Sequence, residues 1–394
     1  MKLAISPTGI LKALFLLANL ICVLNVLQLS IVISVLYVCI FPLVVLLFVL
    51  TLSKGRYKND IVLLLIIAIS SLVSVLISVL ISNDSFEITE IKKLIIFIVT
   101  LVLFIAVNRL KVDKKTIRFI EISVSCASVA LVLLYFIKYN ELYIYNLLGM
   151  KFLYFHFDNP NFAAMHFLVY AIYNSILAQK QNKIYLKLFH IALALFMSYF
   201  VFQTLSRNAL LTLLVFFVIF IVMLFIKRLK RSYSMALSAF IAAWPIIFVA
   251  AYNLLLFIIR NLGVFSFLTE SGKELDTRNI VWNDAIAEIL EYPLTGNYGA
   301  SVIRQSHNTH LDIWVSYGII ALIGTIILIA YIIYNNGRAY KNNISNLYML
   351  GFICCIIMGM AEAALFAGCQ GLFILVAGFV LLSKTDNENS LKEP

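Results

Sequence analysis

Charge is what this sequence has least of. Asp, Glu, Lys and Arg together make up 12% of its 394 residues, whereas 63% are hydrophobic. No soluble domain buries an apolar excess of that size, so a soluble enzyme or binding module is excluded and a polytopic membrane protein remains. Acid is scarcer than base, with 19 Asp and Glu against 30 Lys and Arg. The resulting net charge of +11 does not point to nucleic acid. The positive residues lie in short loops between apolar runs, where they set orientation rather than read phosphates. Cysteine is limited to Cys22, Cys39, Cys126, Cys354, Cys355 and Cys369, all in or beside apolar runs and without CxxC spacing. They read as buried small residues, not as disulfides or metal ligands. An HExxH pattern is missing, and so is any internal repeat or matched pair of interrupted helices, which weakens a secondary-transporter reading. A cleavable signal peptide is not expected, because the apolar run after Lys12 is too long and no small-residue cleavage site follows.

What the sequence does have is long apolar runs. Between Lys12 and Lys54 no residue is charged, which is room for two spans with a turn near Asn25, Gln28 and Ser30, the second kinked at Pro42. Further spans are expected at Ile61–Ile81, Ile91–Val107, Ile117–Ile137, Phe162–Leu177, Ile184–Thr204, Asn208–Ile226 and Met235–Ile259. Three more follow at Leu311–Tyr334, Ile344–Ala361 and Leu365–Leu382. The fourth span is short unless Lys92 and Lys93 snorkel outward. The expected architecture is thus an all-α bundle of about twelve transmembrane helices. Nine lie in residues 1–257, a long external loop fills 258–310, three helices lie in 311–383, and 384–394 is a short tail. Counted by side, the clusters Lys54–Lys58, Arg109–Arg118, Lys180–Lys187 and Lys227–Arg231 share one face with both termini. The positive-inside rule makes that face cytoplasmic and puts the long loop outside.

A loop of about fifty residues is far beyond the usual connection and marks a functional segment. Within it, Asp276-Thr277 reads as the cap of a helix from Arg278 to Glu291, stopped by Pro293 and Gly296. Trp282, Ala285, Ile286 and Ile289 form its apolar face, suited to the membrane surface or to the bundle. Arg278 in a first helical turn opposes the helix dipole, which points to a use such as binding an anion; pairing with Asp276 or with lipid headgroups is the plainer alternative. Arg207 is the single charge between two spans on the external side, and it suits a headgroup, a cavity or a ligand. His307 and His310 share a face at the start of a span. A third metal ligand is lacking, so no metal is expected, and a general base is the better functional use of His307. Asp158, Asn159 and Asn161 around Pro160 are ordinary helix-start residues that could also bond sugar hydroxyls. His156, His166, His190 and His310 read as structural, and Glu362 is a minor candidate in an apolar setting.

Four stretches carry a family resemblance: DNPNFAAM (Asp158–Met165), TLSRNALL (Thr204–Leu211), DTRNIVWNDAIAEILEYPLTGNYG (Asp276–Gly299) and SHNTHLDIWVSYGIIALIG (Ser306–Gly324). Their order, spacing and common side resemble the O-antigen ligase and polymerase superfamily. The resemblance implies a C-type helical glycosyltransferase of the bacterial inner membrane, acting at the periplasmic face on undecaprenyl-diphosphate-linked glycan, without a cofactor. By the same resemblance Arg207 and Arg278 hold the donor diphosphate and His307 is the catalytic base. Asn159, Asn161 and Asn308 are the further substrate-binding candidates. Two arginines can stabilise the developing diphosphate charge without a metal. The expected activity is a surface-polysaccharide polymerase, moving a growing glycan onto an incoming lipid-linked repeat unit. A ligase using a lipid A-core acceptor is the alternative, and a lipid-linked oligosaccharide flippase is the rival of another class. Expected partners are the lipid-linked glycan, the bilayer and a chain-length regulator.

Overall fold

A computed structural model of the chain describes residues 6–52, 58–81, 88–145, 151–157, 159–225, 234–262, 273–297, 306–338, 343–362, 366 and 371–384. Thirteen α-helices occur among them: α1 (Pro7–Val26), α2 (Ser30–Leu52), α3 (Lys58–Ile81), α4 (Ile88–Arg109), α5 (Lys114–Ile137), α6 (Pro160–Lys180), α7 (Ile184–Gln203), α8 (Arg207–Phe225), α9 (Met235–Leu262), α10 (Lys273–Glu291), α11 (Thr309–Arg338), α12 (Asn343–Met358) and α13 (Leu372–Leu382). Ten are long and apolar enough to cross a membrane, so the chain is a multi-pass, all-α membrane protein. Leu, Ile and Val side chains on the outer faces of α2, α3, α7 and α8 remain exposed. That is how a bundle solvated by lipid presents itself.

The central element is the least apolar of the spans. α6 has a mean hydropathy of 1.2 against 3.0 for α2, yet nearly all its side chains are buried. Its polar groups find partners inside the bundle, as the absence of water requires. The Tyr170 hydroxyl donates to Asn19 Oδ1 (2.8 Å), and Asn174 Nδ2 donates to Ser128 Oγ (2.8 Å). Tyr173 donates to the Leu375 carbonyl (2.8 Å) and stacks on Phe379. α6 therefore joins α1, α5 and α13.

The two ends of the bundle are built differently. At one end Arg109 donates to both Asp60 oxygens (2.7 and 3.0 Å) and to the Tyr331 hydroxyl (2.6 Å). Lys180 pairs with Glu121 (2.7 Å), and Lys384 Nζ caps the carbonyls of Val107 and Leu110. At the other end lie the N-termini of α6, α8 and α11, the C-terminus of α12 and α10. The loop before α6 forms a small antiparallel hairpin there, Tyr143–Tyr145 with Lys151–Leu153, which the sequence reading lacked. Tyr135, Phe155, Phe167 and Phe200 seat it on α5, α6 and α7 through ring contacts.

Three expected boundaries change. α10 begins at Lys273, so Asp276-Thr277 lies inside the helix and is not its cap. Lys273, Glu274 and Leu275 are all good helix formers and extend it backward. The last two spans are shorter than expected, because α12 ends at Met358 and α13 begins at Leu372. α11 is kinked at Gly318, whose φ of 81° only glycine adopts readily. The cysteines also divide: Cys22, Cys354 and Cys355 are free and buried, Cys39 and Cys126 are free but exposed on the outside of the bundle, and Cys369 lies outside the described residues.

Candidate active site

The break after α12 leaves carbonyls without helical partners, and a neighbouring segment supplies them. Asn208 Nδ2 donates to the Met358 carbonyl (2.7 Å), Thr309 N to Gly359 (2.9 Å), Asn308 Nδ2 to Met360 (2.8 Å) and Thr309 Oγ1 to Glu362 (2.9 Å). Irregular backbone survives at this depth because protein groups satisfy it. The same bonds fix the loop that carries His307.

That loop is tied on every side. The Ser306 carbonyl accepts from Trp282 Nε1 (2.9 Å), and its N–H donates to Asp312 Oδ1 (2.6 Å). Asn308 is fully buried; its oxygen accepts from His310 N and Leu311 N (3.0 Å each), and its amide also donates to Pro245 (2.8 Å). Asn308 was expected to bind substrate, but both sides of its amide are committed to backbone and it does not line the cavity. It holds the loop. His307, between these anchors, sits at φ 55°, a left-handed conformation unusual for a residue with a Cβ.

The imidazole is 33% exposed and faces Glu362, which is 0% exposed, with Nδ1 3.7 Å from a carboxylate oxygen. A base must be reachable, and His307 is; the carboxylate behind it is sealed from solvent. Glu362 also accepts from Asn161 Nδ2 (2.5 Å). Asn159 caps α6, its side chain accepting from Asn161 N (2.8 Å), and so orients Asn161. Asp158 lies outside the described residues.

Asn161, Arg207 and His307 line one cavity of about 560 Å³, with Ser206, Asn208, Tyr252, Val281, Trp282 and Met360 completing much of its wall. Arg207 is the first residue of α8, and the Ser206 carbonyl accepts the first helical bond from Leu210 N (3.0 Å). First-turn N–H groups lack intrahelical acceptors, so a guanidinium placed there can converge with them on an anion. The arginine at a helix N-terminus is thus Arg207. Arg278 stands in the second turn of α10, and its side chain lies outside the described residues.

α10 walls the cavity by docking on the bundle. Trp282, Ala285 and Ile289 pack with Val249, Leu311 and Val315, and Trp282 meets Tyr252 edge-on at 5.2 Å. The following turn plugs the kink of α11. Ile319 N donates to the Pro293 carbonyl (3.2 Å), Asn297 N to Val315 (2.6 Å), and Trp314 Nε1 to Pro293 (3.0 Å). A Cβ on Gly318 would overlap the Leu294 carbonyl, and one on Gly296 the carbonyl of Val315.

His310 is buried and Asp312 serves Ser306; neither lines the cavity. Glu362 is the residue the sequence reading underweighted. Its signal was there: an acid alone in a long apolar run is expensive and calls for a partner. A larger groove, about 860 Å³, lies between α5, α6 and α7 with Lys114, Arg118 and Lys180 among its lining, at the opposite end of the bundle. It holds none of the expected site residues.

Residues 192–326, about a third of the chain, match the family described as O-antigen ligase. The match takes in Arg207, Arg278, His307 and the Gly318 kink, and leaves Asn161 and Glu362 outside. A comparison with curated proteins gave no match.

Proposed function

We propose, from the match of residues 192–326 to the family described as O-antigen ligase, that this protein transfers glycan from a polyprenyl diphosphate carrier to a sugar hydroxyl. The observation that carries the reading is the shared cavity: an arginine at a helix N-terminus, a reachable histidine backed by a buried carboxylate, and an amide linking that carboxylate to α6. In this reading Arg207 holds the donor diphosphate, with Arg278 its partner from α10. The acceptor hydroxyl gives its proton to His307 as its oxygen attacks the anomeric carbon. The bond from that carbon to the diphosphate oxygen breaks, and its electron pair leaves with the polyprenyl diphosphate, whose growing charge Arg207 and Arg278 stabilise. One displacement inverts the anomeric centre. Glu362 fixes the ring and steadies the imidazolium that forms, as a carboxylate behind a catalytic histidine does. Asn161 holds Glu362 and faces the substrate.

Within this chemistry the acceptor we favour is an incoming lipid-linked repeat unit, which makes the protein a polymerase of the external face of the inner membrane. The second reading is a ligase onto lipid A-core, and the match at residues 192–326 is common to both readings. A deletion strain separates them by gel analysis of surface glycan. A single repeat unit on its normal acceptor, without a ladder, supports the polymerase. Long polymer left on the lipid carrier supports the ligase and rejects the polymerase.

A further inference from the structure

A second cavity, about 720 Å³, opens at the same end of the bundle. Its lining comes from the turn between α1 and α2, from the start of α4 and from the segment between the hairpin and α6. Asn25, Gln28, Tyr37, Lys92, Tyr154 and His156 carry its chemistry, with Ser34 on the α2 wall. Among the described residues the lining holds amides, hydroxyls, four six- or five-membered rings and one cation, and no carboxylate. Amides and hydroxyls both give and accept hydrogen bonds, and ring faces cover the apolar face of a pyranose. The volume falls within the range of small-molecule sites, about 300–1,000 Å³.

The backbone around it is held in an unfavourable form. Gln28, Phe155 and His156 all have positive φ, at 56°, 50° and 57°. Of the five non-glycine residues with positive φ among those described, three gather here and one is His307. Such strain persists where surrounding contacts impose it, and it concentrates at ligand sites. Here the contacts are visible. Gln28 Nε2 stands 2.9 Å from His156 Nε2, the Tyr154 hydroxyl 2.7 Å from His156 Nδ1, and Asn25 Nδ2 3.5 Å from the Phe155 carbonyl. Burial, helped by nearby Lys138, holds the His156 imidazole below its ordinary value, so the ring is neutral at neutral pH. A neutral imidazole both donates and accepts.

The two cavities are adjacent along the chain. Phe157 lines the second and Asn161 the first, and four residues of chain can separate their Cα atoms by no more than about 14 Å. The start of α4 links them again: Lys92 lines the second cavity, and Lys93 is within electrostatic reach of Asp312, which bonds Ser306 beside His307. We propose that the second cavity is a saccharide-binding subsite, which holds sugar residues of the glycan away from the bond being made. The proposal rests on the reading of the protein as a glycan transferase.

The test separates the two. The full chain in nanodiscs is titrated with soluble fragments of the host's own surface polysaccharide, which carry neither lipid nor diphosphate, and binding is read by saturation-transfer NMR. Wild type binds. His156→Ala, and Ser34→Trp, which fills the cavity from α2, weaken binding at least tenfold while keeping wild-type melting and elution. Arg207→Ala binds as wild type does. No binding by wild type, or equal binding by both cavity variants, overturns the subsite. Loss of binding in Arg207→Ala alone also overturns it, since the sugars then sit in the first cavity. Fragment binding that depends on His156 and Ser34, in a protein that catalyses no transfer, sustains the subsite and sinks the transferase reading.

Discussion

At His307 a left-handed backbone, at φ 55°, costs about 1–3 kcal/mol, and the bonds of Ser306, Asn308 and Thr309 on either side enforce it. The conformation presents the imidazole to the cavity with Glu362 behind it. Glu362→Gln is expected to lower kcat about 100-fold with KM nearly unchanged, and Glu362→Asp to restore part of the loss. Steady-state kinetics on purified protein checks this; a rise in KM alone would mean that Glu362 contacts substrate instead of positioning the base. Arg207→Lys is expected to raise the KM for the lipid-linked donor at least tenfold, because an ammonium cannot reproduce the paired N–H bonds of a guanidinium to phosphate. An unaltered KM would remove the diphosphate from Arg207. Arg207 and His307 were legible in the sequence, since an isolated arginine and a histidine at a membrane boundary need a reason to be there. The role of Asn308 was not. A His-Asn pair does not say which backbone groups the amide will serve, and those groups lie 52 and 63 positions away.

Among the elements, α10 and the turn after it decide whether the cavity has a wall. Gly318→Ala is expected to expel the Pro293–Asn297 turn from the kink in α11. It places a side chain at φ 81° and into the Leu294 carbonyl, so the cost exceeds about 1 kcal/mol. Trp314 would then lose its bond to Pro293 and Trp282 its burial, so fluorescence emission moves to the red and transfer falls. An unshifted spectrum with full activity would refute the docking role. The apolar face of α10 could be read from the spacing of Trp282, Ala285 and Ile289. The start of α10 could not, because Asp276-Thr277 has the grammar of a cap while Lys273–Leu275 carry the helix past it. The break between α12 and α13 was equally hidden. The run from Ile344 to Leu382 is almost uniformly apolar, and what permits a non-helical stretch in it is four donors from Asn208, Asn308 and Thr309, distant in sequence.

Taken whole, the molecule separates its work between two ends. One is fastened by charge pairs, foremost Arg109 with Asp60, whose side chain is 6% exposed. Asp60→Ala is expected to cost about 3 kcal/mol by leaving Arg109 partly buried without its carboxylate. Melting in detergent should fall while activity per folded molecule stays at wild type; lost activity at full stability would mean that the two ends are coupled. The other end carries both cavities and every residue assigned to chemistry. The bundle itself was legible because apolar length and charge spacing dictate spans almost alone, whereas the convergence of α6, α8, α9, α10 and the loops at His307 and Met360 on one cavity is a matter of packing that no local pattern encodes. The most direct test of that convergence measures release of polyprenyl diphosphate from a lipid-linked donor by purified protein supplied with acceptor. Wild type is expected to release it, His307→Ala to slow release about 100-fold or more, and donor binding in that variant to be unchanged. Equal release by wild type and His307→Ala, or none by wild type with donor and acceptor both present, would contradict this reading of the site.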